Sequence, residues 1–527
     1  MKYYRDHYDA IIIGGALAGL SAAIELAEAG LSVLVLERRN CPGGLTASIV
    51  RQGLEMELSL HEMSGIGAPK DRLNAGKFFD RHGIGIRFLP VPECYTIAWP
   101  EKSVTLHPGF EVFASETEKA VPGSYESVLR FLELCNAVFE SVNKLASPSL
   151  DGLHNSLHDF DILFKTAGYS TKDVMDSLDV PPEAEKLLSP YWLYVGSPLS
   201  VLPFTVYALL AGDYIGHGSY IPAKFSHEIP LRMAEKAEEL GVQIEYCQEV
   251  EKILVSNGRT AGVRTRRKDT IAADYVISGA YPELVFSQMI EPLSEVPKNM
   301  LRLVNSRSLS FTVFTLLLML DQTPEELGID HYCVFTSEST DTERIFFENI
   351  VSEGPYEALI GVCLNRANPE AVPKGLCSFS ITALLRPEAF EKVHKDNYME
   401  VRDRIAEEIL TAMEKRLKAP LKEHILEAVT VTPETISRYS NSPGGCIYGY
   451  RHTMEHHVAA RLLSPESEEG IRGLVFAGAH SAGGDGMGTQ ILNGETAAKA
   501  VLELYRRENS LLSKAVSAIG DNEYEGR

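Results

Sequence analysis

Apolar and polar positions change period along this chain, and the changes mark its elements. The first forty residues run strand, tight turn, helix, strand: Ala10–Ile13 is wholly apolar, Gly14–Gly19 is glycine- and alanine-rich, Leu20–Ala29 has helical spacing, and Leu31–Leu36 is apolar again. This is one βαβ unit. From Asp71 to Phe225 the pattern predicts amphipathic helices such as Tyr125–Ala146 and Pro182–Leu188, broken at prolines and glycines, as in an inserted cap. A helix at Ile229–Leu240 then precedes strands at Val242–Tyr246, Val250–Val255, Thr260–Thr265 and Asp274–Ser278, which rejoin the first unit. Long strands at Ser310–Leu320 and Ser378–Leu385 and a helix at Tyr398–Lys415 suit a sheet with helices in a second domain. Leu474–Ala477, a glycine run and a helix at Gly488–Tyr505 repeat the strand, turn, helix order, and the tail after Ser510 reads as disordered. No internal repeat is visible.

Composition narrows the partners. The 527 residues are 45% hydrophobic and 23% charged, enough for more than one buried core. With 72 acidic against 50 basic side chains the net charge is −22, which disfavours nucleic acid or an anionic bilayer as a general partner. The eight cysteines form no CxxC pair, which argues against a metal knuckle and for a reducing, cytoplasmic setting. The longest apolar run, Leu309 to Leu320, is shorter than the roughly 20 residues a bilayer requires. Tyr8-Asp9 leads straight into the first strand, so no secretory signal is expected.

Against that background the glycine loops carry the chemistry. Gly14-Gly15-Ala16-Leu17-Ala18-Gly19 follows a buried strand and opens a helix, the setting in which a glycine pattern reads as a phosphate site. Gly14 permits the turn, Gly19 lets helix and strand approach, and the amides at the helix start present positive potential to a pyrophosphate. The pattern departs at its second glycine, where the Ala16 methyl narrows the approach and Gly15 shares the role. Eighteen residues past Gly19 the second strand ends in Glu37, placed to accept hydrogen bonds from ribose hydroxyls, with Arg38 beside it. Gly43-Gly44-Leu45-Thr46 follows closely, and its amides can reach the same diphosphate; the pair resembles that of flavin enzymes in the larger disulfide-reductase and amine-oxidase superfamily, which implies FAD rather than NAD. At the other end, Gly478 to Gln490 leads into the last helix, whose N-terminus would stabilise the negative charge that develops on a flavin pyrimidine ring.

These segments resemble the phytoene desaturase, carotenoid isomerase and retinol saturase family of flavoproteins. The resemblance covers Pro42-Gly43-Gly44, Leu54–Gly65, Gly196-Ser197-Pro198, Val250 to Ile253, Ala273-Asp274 to Pro282, Thr432-Pro433, Gly445 to Gly449 and Gly473 to Gly494. It implies an α/β fold: a Rossmann-type FAD-binding domain of the disulfide-reductase and amine-oxidase superfamily with an inserted α+β substrate domain. The expected FAD domain is residues 1–75, 226–290 and 436–510, the substrate or cap domain 76–225 and 291–435, and 511–527 a flexible tail. By resemblance Val250 contacts adenine through its backbone, and Gly478, Asp485, Gly488, Thr489 and Gln490 belong at the flavin. Two departures stand out: Tyr220-Ile221-Pro222-Ala223-Lys224 replaces the family's glycine pair, and Glu57 stands where the family has aspartate.

Hydride transfer to or from carbon needs a proton partner, and a group titrating near neutral pH suits that task. His61 is the first candidate, matching a histidine frequent in the retinol saturase branch; His480 and Tyr220 follow, and Tyr194, His217, Tyr448 and Tyr450 come from segments expected near the cavity. No metal is expected, because the adjacent His456 and His457 point to different sides of a helix. No second glycine loop has the strand and helix context of a nicotinamide domain. Electrons would then pass to or from a quinone, ferredoxin, free flavin, oxygen or a transient nicotinamide. The expected function is a saturase or desaturase acting on a carbon–carbon bond of a hydrophobic polyene, isoprenoid or enone. Alternatives are a flavin-dependent cis–trans isomerase, a flavin amine oxidase, or a flavin-free binder of prenylated partners like the Rab escort proteins. Lipophilic substrates also imply contact with a membrane surface.

Overall fold

The computed structural model describes residues 4–58, 62–99, 102–146, 161–336, 341–349, 352–455, 470–481 and 483–524. Two large sheets organise them. The first has the order Gln243–Glu245, Val33–Leu36, His7–Ile13, Thr270–Ser278, Arg259–Thr265, Val250–Ser256 and Ile290–Glu291, with Leu474–Phe476 also parallel to Thr270–Ser278. Its central strands are parallel, with Ala10 opposite Val33 on one side and Tyr275 on the other. Parallel strands covered on both faces must be apolar on both. Ala10, Ile12, Val33 and Val35 enter one core, and Ile11, Ile13, Leu34 and Leu36 enter the other.

The helix Leu17–Glu28 covers the first of these faces, and the last helix, Met487–Tyr524, crosses it. The crossing is close: a Cβ added to Gly494 would lie 2.2 Å from the Ala18 carbonyl oxygen, and the Ser21 hydroxyl donates to the Ile491 carbonyl at 2.7 Å. The C-terminal glycine run is thereby fixed beside the N-terminal loop. That last helix continues to Tyr524, so the tail expected after Ser510 is helical that far. Its Leu511, Leu512, Ala515 and Ala518 are good helix formers, and no proline interrupts them.

The second sheet has the order Ile425–Val431, Thr312–Leu320, Cys377–Leu385, Leu359–Cys363, Cys333–Phe335, Tyr95–Ala98 and Ser103–Leu106. It is antiparallel except where Cys333–Phe335 runs with Tyr95–Ala98. Those last two short strands come from the stretch read as a helical cap; they are too short for alternation to register against the flanking helices. The largest apolar core joins this sheet to the helices of residues 110–211. The core of the first unit extends past the expected boundaries, taking in Phe78, Phe79 and Ile84 on one side and Met300 and Val304 on the other. The reason is helical: Ala75, Phe78 and Phe79 share one face of the helix Asn74–Arg81, and that face is buried. Among the described residues no helix is long and apolar enough to cross a membrane.

Candidate active site

The N-terminal loop is built from backbone. Gly14 has φ +103, and a Cβ there would meet nothing within 4 Å, so open space lies beside the helix start. Ala16 is extended (φ −83, ψ 177) and caps the helix, which begins at Leu17, three residues earlier than the apolar spacing predicts. The first-turn amides, Leu17, Ala18 and Gly19, have no acceptor within their own helix. Gly19 is obligatory on steric grounds, since a Cβ would lie 2.1 Å from the Gly14 carbonyl oxygen. The buried Glu37 carboxylate accepts from the Gly15 amide at 2.8 Å and the Arg39 amide at 2.8 Å. Gly15 is thus committed to Glu37, and its amide holds the carboxylate at the end of the second strand.

The second glycine pair interlocks with the first loop. The Gly43 amide donates to the Gly15 carbonyl at 2.8 Å, and Gly43 pairs with Ala16 as an isolated parallel bridge. A Cβ at Gly44 (φ +61) would lie 3.0 Å from the Ala16 Cβ. The Ala16 methyl therefore occupies space that Gly44 leaves open, which is how the fold accommodates the missing second glycine. Thr46 donates its amide to the Gly43 carbonyl at 3.0 Å, and Leu45 packs away from the loop against a small core around Met56 and Leu317. Val250 is buried at the start of its strand. Arg38 points elsewhere: its guanidinium donates to the Arg438 and Tyr439 carbonyls at 2.7 and 2.6 Å, at the end of the helix Pro433–Ser440.

The C-terminal run closes the other side. Asn493 donates to the Gly478 and Gly484 carbonyls at 3.1 and 2.9 Å, and the Gln490 side chain donates to the Gly484 carbonyl at 2.9 Å, which pins the loop before the helix. A Cβ at Gly488 would lie 2.8 Å from the Ser64 carbonyl oxygen, and one at Gly486 only 3.6 Å from the Thr489 hydroxyl. Asp485 and His452 form a buried pair at 2.7 Å, with the Ser197 hydroxyl donating to the His452 carbonyl. Open space beside Gly14 and near Gly486 lies on the two loops that the docked helices bring together. They are the kind of cradle a dinucleotide's diphosphate and ring require.

The candidate proton donors are scattered by the fold. His61, and with it His456 and His457, lies outside the described residues. His480 is buried, its ring 5.4 Å from that of Tyr281 and 5.9 Å from that of Phe476. Tyr220 exchanges both backbone hydrogen bonds with Met63, at 2.9 and 2.8 Å, and its ring packs on the nucleotide-side core. His217 stacks against Phe139, and Tyr450 is fully buried with Arg307 over its ring. Tyr448 is half-buried near Asp485, and both effects push its phenol above the ordinary range, burial the more.

Tyr194 leads to a residue the sequence reading passed over. Its hydroxyl donates at 2.9 Å to Oε1 of Glu62, which is 6% exposed. The neighbouring Met63 points into the core of the first sheet, so strand-like alternation aims Glu62 the other way, into the core of the second sheet with Tyr191, Tyr214 and Cys333. Burial pushes the Glu62 carboxyl up to about 8, against the Tyr194 and Ser219 hydroxyls, which favour ionisation; nearby Glu93 pushes it further up. Asp213, on the π-helical turn Gly212–His217, accepts from the Gly65 amide at 3.0 Å and is pushed up to about 6, again chiefly by burial. Two raised acids thus flank residues 62–65, which abut the last helix at Gly488. An acid at the position that alternates with Leu58 and Leu60 was the available signal.

The missing glycine pair near residue 225 also has a structural answer. Phe225 takes φ +59 without being glycine, beside a narrow crevice that Glu57, Ile221 and Leu364 help to line. Glu57 accepts from the Ser226 amide at 2.8 Å and from the Ser226 hydroxyl.

Comparison with known proteins agrees with this arrangement. Residues 17–502 match the family of flavin containing amine oxidoreductases. The chain is 25% identical over 500 residues to prolycopene isomerase 1, chloroplastic, of an Oncidium hybrid cultivar, covering 92% of this chain and 81% of that one. It is 23% identical to the all-trans-retinol 13,14-reductase of Danio rerio, covering 90% and 82%. The crystal structure of an oxidoreductase from Methanosarcina mazei shares the fold with a TM-score of 0.61 at 17% identity, over 93% of this chain and 99% of that one. The protein belongs to the flavin-containing amine oxidoreductase family: it is an FAD-dependent oxidoreductase.

Proposed function

We propose that the protein exchanges hydride between FAD and a carbon–carbon single or double bond of a hydrophobic polyene, isoprenoid or enone. The observation that carries this reading is the seam between the two units. Beside the loop assigned to the flavin it is walled by buried aromatic rings, with Tyr191, Tyr194 and Tyr214 in mutual contact at 5.3 to 5.6 Å and Phe335 behind them. Such a wall suits an extended apolar substrate. Relatives named for isomerisation or reduction of polyenes, matched over nine-tenths of this chain, support the same class.

In this reading Gly14, Gly15, Ala16, Ala18, Gly19 and Gly43 to Thr46 form the diphosphate cradle, and Glu37 receives the ribose. Val250 meets adenine, and Gly478, Asp485, Gly488, Thr489 and Gln490 border the ring. Bound FAD supplies the two-electron chemistry. The helix start at Met487 stabilises negative charge beside the ring, and the apolar walls exclude water. An external redox partner completes the cycle, and the protein works in the cytoplasm, collecting its substrate at a membrane surface.

The visible spectrum of the purified protein, followed by anaerobic dithionite reduction and a panel of enones, polyenes and amines, tests this. Reoxidation of the reduced flavin by an enone or polyene is the expected result. Bleaching of the oxidised flavin by an amine would replace the reading with an amine oxidase.

A further inference from the structure

We propose that Glu62 is the proton donor of the site for saturation of a substrate double bond, held as a neutral carboxylic acid beside Tyr194. The inference deepens the hydride-transfer reading above and rests on it.

Three independent placements converge on this residue. Glu62 lies on the segment that abuts the last helix, because Ser64 touches Gly488, and it is turned toward the substrate side while Met63 is turned away. The carboxyl is nine-tenths buried, and its Oε2 has no hydrogen-bond partner among the described residues. A buried carboxylate oxygen in that state would be strongly disfavoured, whereas a carboxyl O–H aimed into a substrate site is a donor awaiting an acceptor. Third, the groups found around it among the described residues are phenols, a thiol and a second acid, none of them positively charged. They are Tyr194 and Tyr191 from the segment Ser189–Val195, Tyr214 from the π-helical turn, Tyr332 and Cys333 at the start of a substrate-side strand, and Glu93. Burial pushes each of those phenols and the thiol up, so they stay protonated at neutral pH and can pass a proton but cannot trap one.

The step balances. As one carbon of the double bond accepts hydride from bound reduced flavin, the other takes the proton of Glu62: the O–H bond breaks, its electron pair remains on the carboxylate, and a C–H bond forms. The double bond is reduced by two electrons and the flavin is oxidised. The carboxylate regains a proton from solvent. In the reverse direction the same group, as a carboxylate, would take the proton that leaves with the hydride.

Infrared spectroscopy of the flavin-loaded protein reads the protonation directly. The wild type should show the carbonyl stretch of a protonated carboxyl at pH 7, shifted in D₂O and lost with a midpoint near pH 8. Glu62→Gln should lack it, and Tyr194→Phe should move the midpoint upward by about one pH unit, because a hydrogen bond that favours the ionised form is gone. In single turnovers of dithionite-reduced enzyme with an enone or polyene, Glu62→Gln should slow reoxidation by roughly 100-fold or more. A wild type without the band, or a Glu62→Gln variant that keeps it, overturns the proposal. So does a variant that turns over at the wild-type rate. Should no enone or polyene reoxidise the wild-type flavin, the carbon–carbon reading fails along with this one, whether or not the band is present; an intact wild-type turnover matched by the variant sinks the Glu62 role alone.

Discussion

Between Gly14 and Gly44 the site is made of backbone, and between Glu62 and Asp213 it is made of side chains. In the first region each glycine has a local reason to be there: Gly14 and Gly43 lie at positive φ, and Gly19 faces a carbonyl at a distance no Cβ tolerates. The second region joins residues 62–65 to a turn some 150 positions later, through Asp213 on the Gly65 amide and Tyr194 on Glu62. The backbone cradle tolerates no added atom at Gly19. A side-chain seam tolerates atoms but is sensitive to protons.

Gly19→Val breaks the first region outright. The added Cβ must move the Gly14 carbonyl, so the loop opens, and purified protein should retain no flavin and lose roughly 3 kcal/mol or more of stability. Flavin absorbance against protein concentration, with a denaturant midpoint, measures both. Retention of stoichiometric flavin would show that the cradle lies elsewhere.

The second region is probed by pH. Glu62 holds a proton in the folded protein up to about pH 8, whereas its unfolded counterpart releases it at the ordinary value of 4.5. Across that window the folded state binds the extra proton, so its contribution to stability is complete below pH 4.5 and declines as pH rises, by up to about 1.4 kcal/mol per pH unit. Asp213 contributes in the same direction but only to about pH 6. His82, raised by Glu25 and Glu28 despite its burial, also loses stability as pH rises. Comparing Glu62→Gln with wild type between pH 6 and 8 isolates Glu62: the variant should show a distinctly flatter decline. Parallel curves would mean that Glu62 is ionised throughout.

A subtler test returns to the cradle. Gly44→Ala imposes a left-handed alanine and a 3.0 Å contact with the Ala16 methyl, which together should cost about 1–2 kcal/mol and weaken FAD binding by about tenfold. Adding Ala16→Gly should recover the contact but not the backbone strain. Flavin fluorescence titrations of the single and double variants read that coupling, and strict additivity would show that the two residues do not share the space.

The contrast also explains what was legible in the sequence. The βαβ unit, Glu37 and the paired glycines were readable because their signals are short-range and use residues with few other uses. The long strands Thr312–Leu320 and Cys377–Leu385 were readable by their length. Glu62 was not, because nothing in Leu58 to Met63 reveals which side chains the fold will bring around it; Tyr194, Tyr214 and Cys333 arrive from three separate elements. The pairing of Ala16 with Gly44 was equally hidden, although both residues had been singled out. The short strands Tyr95–Ala98 and Ser103–Leu106 vanished into a helical background for want of length.

Arg38 gives the smallest effect and the cleanest division between the two kinds of evidence. Adjacency to Glu37 suggests a cofactor contact, but the guanidinium spans the carbonyls of Arg438 and Tyr439, at the end of a helix whose last turn carries unpaired carbonyls. Arg38→Ala should therefore cost about 0.5–1 kcal/mol of stability, as expected for an exposed charge-assisted cap, and leave the FAD dissociation constant within twofold of wild type. Thermal midpoints and the same fluorescence titration decide it. A tenfold loss of FAD affinity at unchanged midpoint would return Arg38 to the cofactor and show that sequence adjacency had been the better guide.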